Sequence, residues 1–305
     1  MKNKYEVVII GGGPAGLSAG IYTARARLSS LLIEKGIIGG QIVNAESVEN
    51  YPGFPEGISG YDLAELMHQQ AQKLGLETLT TEVTGIELKG KQKIVQTSEG
   101  SFAAKAMIIA SGSEWNKLDI PGEKEFTGRG VSYCAICDGA FFSKQPVAVV
   151  GGGNAAITEA LSLTNFASKV TVIHRRQELR ATRILQEKAF ATPKIEFIWD
   201  TVVEEIEGED VVKRLKLSNV TNGAKSSIDV AGIFVAIGFK PNTDYLKSIL
   251  ALDATGHITT NERMETEIPG IFAAGDVRAN SIRQVVSAVG DGATAAIYAE
   301  RFITK

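Results

Sequence analysis

The two cysteines of this 305-residue chain stand two residues apart in "SYCAICDGAF", Ser132 to Phe141, and Asp138 directly follows the second. A Cys-x-x-Cys pair is half of a metal site, a thiol–disulfide redox couple, or simply two small buried hydrophobes. A structural zinc site needs four ligands, and the chain adds only three scattered histidines, His68, His174 and His257, with no second pair at finger spacing. No metal is expected. A redox couple works through a thiolate that attacks a partner's disulfide.

A dithiol needs a source of electrons, and the rest of the chain reads as nucleotide-binding scaffold. "EVVIIGGGPAGLSAGIYTARARLSSLLIEKG" from Glu6 aligns without gaps on "PVAVVGGGNAAITEALSLTNFASKVTVIHRR" from Pro146, at a constant offset of 140. Each copy has an apolar run, three glycines, helix-period apolar residues and a second apolar run, so each reads as strand, turn, helix, strand. Gly11 and Gly151 serve the tight turn, Gly13 and Gly153 allow a pyrophosphate close to the backbone, and Gly16 or Ala156 lets helix and strand pack. The pyrophosphate then rests on a helix N-terminus.

The offset also separates the two ligands. Glu34 closes the second strand of the first copy, and its counterpart is His174, which opens "HRRQELR". A carboxylate there accepts from a ribose 2′-hydroxyl and repels a 2′-phosphate, whereas Arg175, Arg176 and Arg180 offer bidentate donors to one. The first site suits an adenosine with free hydroxyls and the second suits NADP. A third segment, "GIFAAGDV" from Gly270, reads as a strand ending in Gly-Asp before a long apolar-periodic helix through "SIRQVVSAVGDGATAAIYAERFI". Asp276 could there hold a sugar-alcohol hydroxyl, such as a flavin's ribityl chain supplies, or could simply cap a helix. Meanders with Gly and Asn-Gly turns are expected at 83–100 and 202–230, in equivalent places of the two copies.

Composition restricts the remaining classes. Lys+Arg of 32 against Asp+Glu of 35 gives a net charge of −3 without a basic block, which argues against a nucleic-acid partner. No window approaches eighteen uninterrupted apolar residues, so no membrane span is expected, and "MKNKYEVVII" reads as a strand and not as a signal peptide. A cytoplasmic protein is expected, where structural disulfides are rare.

With these motifs in place, the chain resembles the low-molecular-weight, bacterial-type NADPH-dependent thioredoxin reductases. The resemblance runs through "GGGPAGLSA", "GGQ", "VENYPG", "GRGVSYCAICDG", "GGGNAA", "HRRQELR", "GIFAAGDV" and "RQVV". It implies an α/β protein of two Rossmann-like domains of the three-layer ββα type, the second inserted into the first. The FAD-binding domain would comprise 1–114 and 245–305, and the NADPH-binding domain, carrying the dithiol, 115–244. Gly11, Gly13, Gly16, Glu34, Gln41, Asn50, Asp276, Arg283 and Gln284 match the family's FAD positions, and Pro14, Ala15, Lys35, Gly39, Gly40, Gly275 and Val285 lie within the same motifs. Gly151, Gly153, Asn154, Ala155, Ala156, His174, Arg175, Arg176 and Arg180 match the NADPH site. The resemblance further implies a homodimer, thioredoxin as partner, Cys137 against the flavin, Cys134 as the exposed exchange thiol, and Asp138 as the proton carrier. Where family members often carry an aromatic directly after "CDG", this chain has Ala140 before Phe141 and Phe142. A reductase serving another thioredoxin-like or peroxiredoxin partner, and a non-enzymatic flavin or nucleotide sensor, are the competing readings.

Overall fold

The computed structural model describes residues 3–45, 47–246 and 249–305. In chain order its elements begin with β1 (Lys4–Ile10), α1 (Pro14–Arg25), β2 (Ser30–Glu34), α2 (Gly60–Lys73), β3 (Glu77–Thr80), β4 (Val83–Lys89), β5 (Gln92–Thr97), β6 (Gly100–Ile109) and β7 (Ser113–Trp115). They continue with β8 (Val131–Ser132), α3 (Ala135–Asp138), β9 (Pro146–Val150), α4 (Asn154–Leu163), β10 (Lys169–Ile173), α5 (Arg183–Phe190), β11 (Ile195–Ile198), β12 (Thr201–Gly208), β13 (Val212–Asn219), β14 (Lys225–Asp229), β15 (Gly232–Val235), β16 (Phe239–Pro241), β17 (Ile271–Ala273) and α6 (Val285–Thr304). These divide into two units, Met1–Glu114 with Lys240–Lys305, and Trp115–Phe239.

The first unit is built on a sheet in the order β3-β2-β1-β6, with β17 parallel to the second half of β6 and the antiparallel pair β5-β4 running off its first half. The central stretches 7–10, 31–33 and 106–109 of β1, β2 and β6 are apolar without interruption because both faces are covered there. Val7, Ile9, Leu32, Ala106 and Ile108 pack toward α1, α2 and α6, while the alternate residues Val8, Ile10, Leu31, Ile33, Met107 and Ile109 pack toward Ile86 and Val95 of the β4–β5 hairpin. The helices, the sheet and the hairpin are therefore three layers.

The second unit repeats the plan. Its sheet is parallel throughout, in the order β11-β10-β9-β15-β8. Val147, Val149, Val170, Val172 and Phe234 pack with the helical residues Ile157, Ala160, Leu163 and Ala189; Ala148, Val150, Ile173, Ile233 and Val235 pack with Val203, Ile206, Leu215 and Leu217 of the β12–β13–β14 meander. The Asn222-Gly223 pair lies between β13 and β14, with Gly223 at φ +72.

The two crossings between units, β7 and β16, pair with each other as a two-stranded ribbon. The return crossing falls at 239/240 and not at 244/245, since Asn242 and Thr243 already bond within the first unit. Asn242 N–H donates to the Gly112 carbonyl, its Nδ2 donates to the Ser111 carbonyl at 2.9 Å, and the Thr243 hydroxyl donates to the Gly256 carbonyl at 2.7 Å. The last helix also begins later than its apolar period suggests, at Val285. Arg283 sits in the left-handed region at φ 58, and Gln284 is an extended N-cap that exchanges capping-box hydrogen bonds with Ser287.

Candidate active site

The glycine turns of the two copies make the same contacts. Gly11 N–H donates to the Ile33 carbonyl at 2.8 Å, and Gly151 N–H donates to the Ile173 carbonyl at 3.1 Å. Both glycines have positive φ, and a Cβ would lie 2.3 Å from the Ala110 carbonyl oxygen in one and 2.5 Å from the Ala236 carbonyl oxygen in the other. No other residue fits either place. The helices that follow, α1 and α4, are both N-capped by an extended glycine, Gly13 or Gly153, with no side-chain cap and nothing within 4 Å of the open Cα face. Two helix N-termini with uncapped N–H groups and room beside them are what a pair of dinucleotide pyrophosphates requires.

Around the first turn the fold gathers residues from four distant segments. Glu34 accepts from Gly12 N–H through Oε2 at 2.6 Å and from Gly36 N–H through Oε1 at 2.9 Å, which fixes its carboxylate at the turn. Lys35 makes an exposed 3.6 Å ion pair with Glu114. Gly39 N–H donates to the Gly12 carbonyl at 2.8 Å, Gly40 lies against Gly13, and Gln41 Nε2 donates to the Ser113 carbonyl. Gly275 lies against Ala15, and Asn50 Nδ2 donates to Gln284 Oε1 at 3.0 Å, which joins the loop before α2 to the N-cap of α6. Pro14 and Gly16 sit in the first turn of α1, and Val285 opens α6 beside Gln284 and the left-handed Arg283. Asp276 is not the cap of α6. Its Oδ1 accepts from the Ser281 hydroxyl at 3.0 Å, and burial pushes its carboxyl up against the opposing effects of that bond and of Arg283.

Two residues that the motifs did not single out hold this region. Arg278 grips Asp291 of α6 through two hydrogen bonds, Nε to Oδ2 at 2.7 Å and Nη2 to Oδ1 at 3.0 Å, while Gly275 N–H donates to Oδ2 at 3.1 Å. The clamp sets Asp276 relative to α6. An acid inside the small-residue run of that helix, "AVGDGATAA", was the available signal.

In the second unit Asn154 Oδ1 accepts from Thr182 N–H at 2.8 Å, and the Gly152 carbonyl accepts from Arg180 N–H at 2.6 Å, so the arginine loop is tied across the glycine turn. Ala155 and Ala156 continue the first turn of α4. Arg175, Arg176 and Arg180 are exposed around it. His174 is not on the surface with them. It is 5% exposed, its ring lies against Gly152 where a Cβ would meet it at 2.4 Å, and its Nε2 is 3.1 Å from the Glu178 carbonyl. Burial lowers its pKa, and the three arginines lower it further against the opposing hydrogen bond to Glu178. It is a neutral packing piece that supports the arginine loop.

The dithiol lies where β8 meets α3. Cys134 and Cys137 are joined as a disulfide with Cα atoms 5.3 Å apart, and Cys134 is the N-cap of α3, its Sγ accepting from Cys137 N–H at 3.2 Å. Contrary to the expected order, Cys137 is the exposed member and Cys134 is half-buried. Ser132, which the motif reading passed over, connects the parts. Its hydroxyl donates to Asp138 Oδ2 at 2.6 Å, and its oxygen accepts from Cys134 N–H at 3.1 Å. Burial raises the Asp138 carboxyl from its ordinary value, and the Ser132 bond holds part of that rise back.

A second brace precedes the pair. Buried Glu123 accepts from Leu118 N–H at 2.9 Å, Asp119 N–H at 2.7 Å and the Tyr133 hydroxyl at 3.0 Å. Trp115 of the first crossing stacks on Tyr133, the residue before Cys134, with ring centroids 5.8 Å apart, and also meets Phe239 of the second crossing at 4.2 Å. Among the described residues no group of His, Cys, Asp and Glu could hold a metal ion, and no helix is long and apolar enough to cross a membrane.

Two uncapped glycine-turn helix N-termini, with a disulfide and a half-buried acid in the inserted unit, form the frame of a nucleotide-dependent disulfide oxidoreductase. The chain belongs to the pyridine nucleotide-disulphide oxidoreductase family, whose pattern matches residues 5–292. It is 47% identical over 301 residues to a thioredoxin reductase of Bacillus subtilis, covering 98% of this chain and 95% of that one. A thioredoxin reductase of Peptoclostridium acidaminophilum is 44% identical over 309 residues, covering 99% and 98%. Among solved structures, thioredoxin reductase from Streptococcus pyogenes superposes with a TM-score of 0.96 at 46% identity, covering 100% of this chain and 99% of that one. The Lactococcus lactis enzyme, described as in its FR conformation, gives 0.68 at 47% identity with 98% and 99% covered.

Proposed function

We propose that this chain reduces the disulfide of thioredoxin with NADPH, through FAD in the first unit and the Cys134–Cys137 couple in the second. The observation that carries the reading is a disulfide held beside a half-buried acid in a chain with two uncapped glycine-turn helix N-termini. NADPH, a proton and a disulfide give NADP⁺ and a dithiol, so electrons and protons balance. Bound FAD supplies the relay between a two-electron hydride donor and a thiol pair, which do not exchange directly at useful rates.

The chain's own groups then have definite tasks. The N–H groups at the starts of α1 and α4 hold the two pyrophosphates. Glu34 accepts from the adenosine ribose of FAD, and Arg175, Arg176 and Arg180 hold the 2′-phosphate of NADPH. Gln41, Asn50, Asp276, Arg283 and Gln284 line the FAD site. Asp138, whose raised carboxyl keeps a proton to higher pH than an ordinary aspartate, protonates or deprotonates the thiols. The division of labour within the pair, Cys137 toward the flavin and Cys134 toward the partner, rests on the family resemblance; the exposure of Cys137 leaves its sulfur available to a flavin in the other unit. Ile136, 70% exposed, and Phe141, 50% exposed, flank the pair with apolar surface, and such surface favours a protein partner over a small solute. The nicotinamide site and the dithiol both belong to the inserted unit, so they must reach the flavin in turn. The paired crossings are the natural hinge. A homodimer in the cytoplasm completes the assignment.

The test is a visible spectrum of the purified protein during NADPH titration, followed by turnover with thioredoxin. A yellow protein that bleaches is expected; a colourless one that FAD cannot reconstitute overturns the reading. Cys134→Ser and Cys137→Ser should each abolish thioredoxin reduction and spare flavin bleaching, since a single thiol cannot cycle through a disulfide. Cys137→Ser, which keeps the exchange thiol, should trap a mixed disulfide with a thioredoxin lacking its resolving cysteine. Preferential trapping by Cys134→Ser would exchange the two roles.

A further inference from the structure

The arginine loop of the second unit runs from His174, after β10, to Thr182, before α5, and its two halves are held differently. The far half is tied to the glycine turn and to α4: the Arg180 and Ala181 N–H groups donate to the Gly152 carbonyl at 2.6 and 3.1 Å, and Thr182 N–H donates to Asn154 Oδ1 at 2.8 Å. The near half carries Arg175 and Arg176, and three consecutive residues of the β11–β12 turn grip it. The Trp199 ring meets the His174 ring edge-on at 6.4 Å, Thr201 N–H donates to the His174 carbonyl at 3.0 Å, and between them Asp200 Oδ2 accepts from Gln177 Nε2 at 2.7 Å. Among the described residues that last bond is the one side-chain hydrogen bond made by 175–177. The Arg175 and Arg176 guanidinium groups are exposed and enter no ion pair there.

Asp200 holds a conformation that suits glycine better. Its φ is 49, in the left-handed region, and its carbonyl is pinned by Val220 N–H at 2.6 Å, so the turn is set by the meander beside it. A residue kept in this region in place of glycine directs attention to its side chain. Among the described residues that side chain makes a single hydrogen bond, and the bond goes to the arginine loop. It goes to a neutral amide and not to a guanidinium. An acid therefore steadies the loop without occupying an arginine that a phosphate would take. Without this tie the ligand itself would have to order Arg175 and Arg176, and that ordering costs affinity.

We propose that Asp200 is a positioning residue for phosphate selection: through Gln177 it fixes the near half of the loop, so that Arg175 and Arg176 stand ready for the 2′-phosphate of NADPH. It acts through Gln177 and not on the dinucleotide. The inference rests on the reading of the second unit as an NADPH site.

The experiment measures, by calorimetry on the full chain with FAD bound, the binding of adenosine 2′,5′-bisphosphate and of adenosine 5′-monophosphate, which differ only in the 2′-phosphate. The unaltered protein should bind the bisphosphate more tightly. Asp200→Gly, which suits the left-handed backbone but removes the acceptor, should weaken the bisphosphate about fivefold, leave the monophosphate unchanged and keep the Tm near that of the unaltered protein. Asp200→Asn keeps both an acceptor oxygen and tolerance of the left-handed region, and should bind both ligands as the unaltered protein does. Gln177→Ala cuts the same tie from its exposed end and should reproduce Asp200→Gly, with no further loss when the two are combined; if Asp200→Gly does not fold, Gln177→Ala decides. Unchanged bisphosphate binding in Asp200→Gly, an equal loss of both ligands, or an asparagine variant that behaves like glycine overturns the proposal while leaving the NADPH site standing. An unaltered protein that binds the two ligands equally overturns the reading of the site and the proposal with it.

Discussion

Removing one hydroxyl near the dithiol should retune its proton carrier. Ser132 donates to Asp138 Oδ2 at 2.6 Å, and this bond favours the carboxylate, while burial, the larger effect, favours the acid. Hydrogen bonds to charged groups are worth about 1.5–3 kcal/mol net, and the half-buried position of Asp138 places this one at the lower end. About 1.5 kcal/mol is about one pKa unit. Ser132→Ala leaves burial unopposed, so the Asp138 carboxyl should titrate about one unit higher. The clean measurement is the carboxyl ¹³C resonance of the oxidised protein, in which neither cysteine titrates. In turnover, the limb that falls as Asp138 loses its proton should move to higher pH by the same amount, because the acid form persists further. Ser132→Thr retains a hydroxyl and should behave like the unaltered protein. An Asp138 midpoint that stays in place or moves down in Ser132→Ala would refute the assignment of that hydroxyl, as would a threonine variant that behaves like alanine.

Arg175→Ala combined with Arg176→Ala should raise KM for NADPH about tenfold to a thousandfold, the loss of one or two charge-assisted bonds, and leave KM for NADH nearly unchanged; equal effects on both would show that the loop does not read the 2′-phosphate. Glu159 of α4 is half-buried, its buried Oε2 has no hydrogen-bond partner among the described residues, and desolvation pushes its pKa up to about 7 from 4.5. Its folded pKa is raised, so ionisation costs stability progressively from about pH 4.5 to pH 7 and on the order of 3 kcal/mol above that. Glu159→Gln should therefore raise the Tm at pH 8 and leave it nearly unchanged at pH 5, and an equal gain at both would exclude the carboxylate as the cause. A covalent cross-link that locks the two units should preserve either flavin reduction by NADPH or flavin-to-disulfide transfer, and full turnover in a demonstrably locked protein would contradict alternation.

How much of this could be read from the sequence depends on how far the reporting residues lie from one another. The duplicated turn was legible because its constraint is local: only glycine tolerates a carbonyl oxygen 2.3 or 2.5 Å from the Cβ position, and the apolar runs on either side carry the strand period. The braces were not legible. Glu123 bonds to Tyr133, Arg278 to Asp291 and Asn50 to Gln284, and nothing in a single sequence says which acid will be buried opposite which donor. The start of α6 was misjudged for a related reason. The period of apolar residues runs on through Ser281–Gln284, but the backbone there is set by the left-handed Arg283 and by a side-chain cap. Ser132 lay inside the quoted motif and was still passed over, because a serine signals a turn as readily as a proton path.

Under the proposed assignment of cofactors, the offset of 140 puts two preferences on one backbone plan. Glu34 and His174 occupy the same place in the repeat, and both side chains pack on the middle glycine of their turn: a Cβ on Gly12 would meet Glu34 at 3.0 Å, and one on Gly152 would meet His174 at 2.4 Å. The steric task is shared and the charge is not. In the first copy a carboxylate stands at the turn, bonded to Gly12 and Gly36 N–H groups, an acceptor that suits hydroxyls and not a second phosphate. In the second copy a buried imidazole fills the same space and is held neutral, so it neither repels a phosphate nor competes with the arginines for it. Three guanidinium groups then supply the positive charge from the exposed loop, which Arg180 N–H ties to the Gly152 carbonyl. Exchanging the two residues alone would therefore not exchange the preferences: Glu at 174 would put a carboxylate among the arginines and abolish selection for the phosphate, whereas His at 34 would remove the repulsion without providing any cation to bind one.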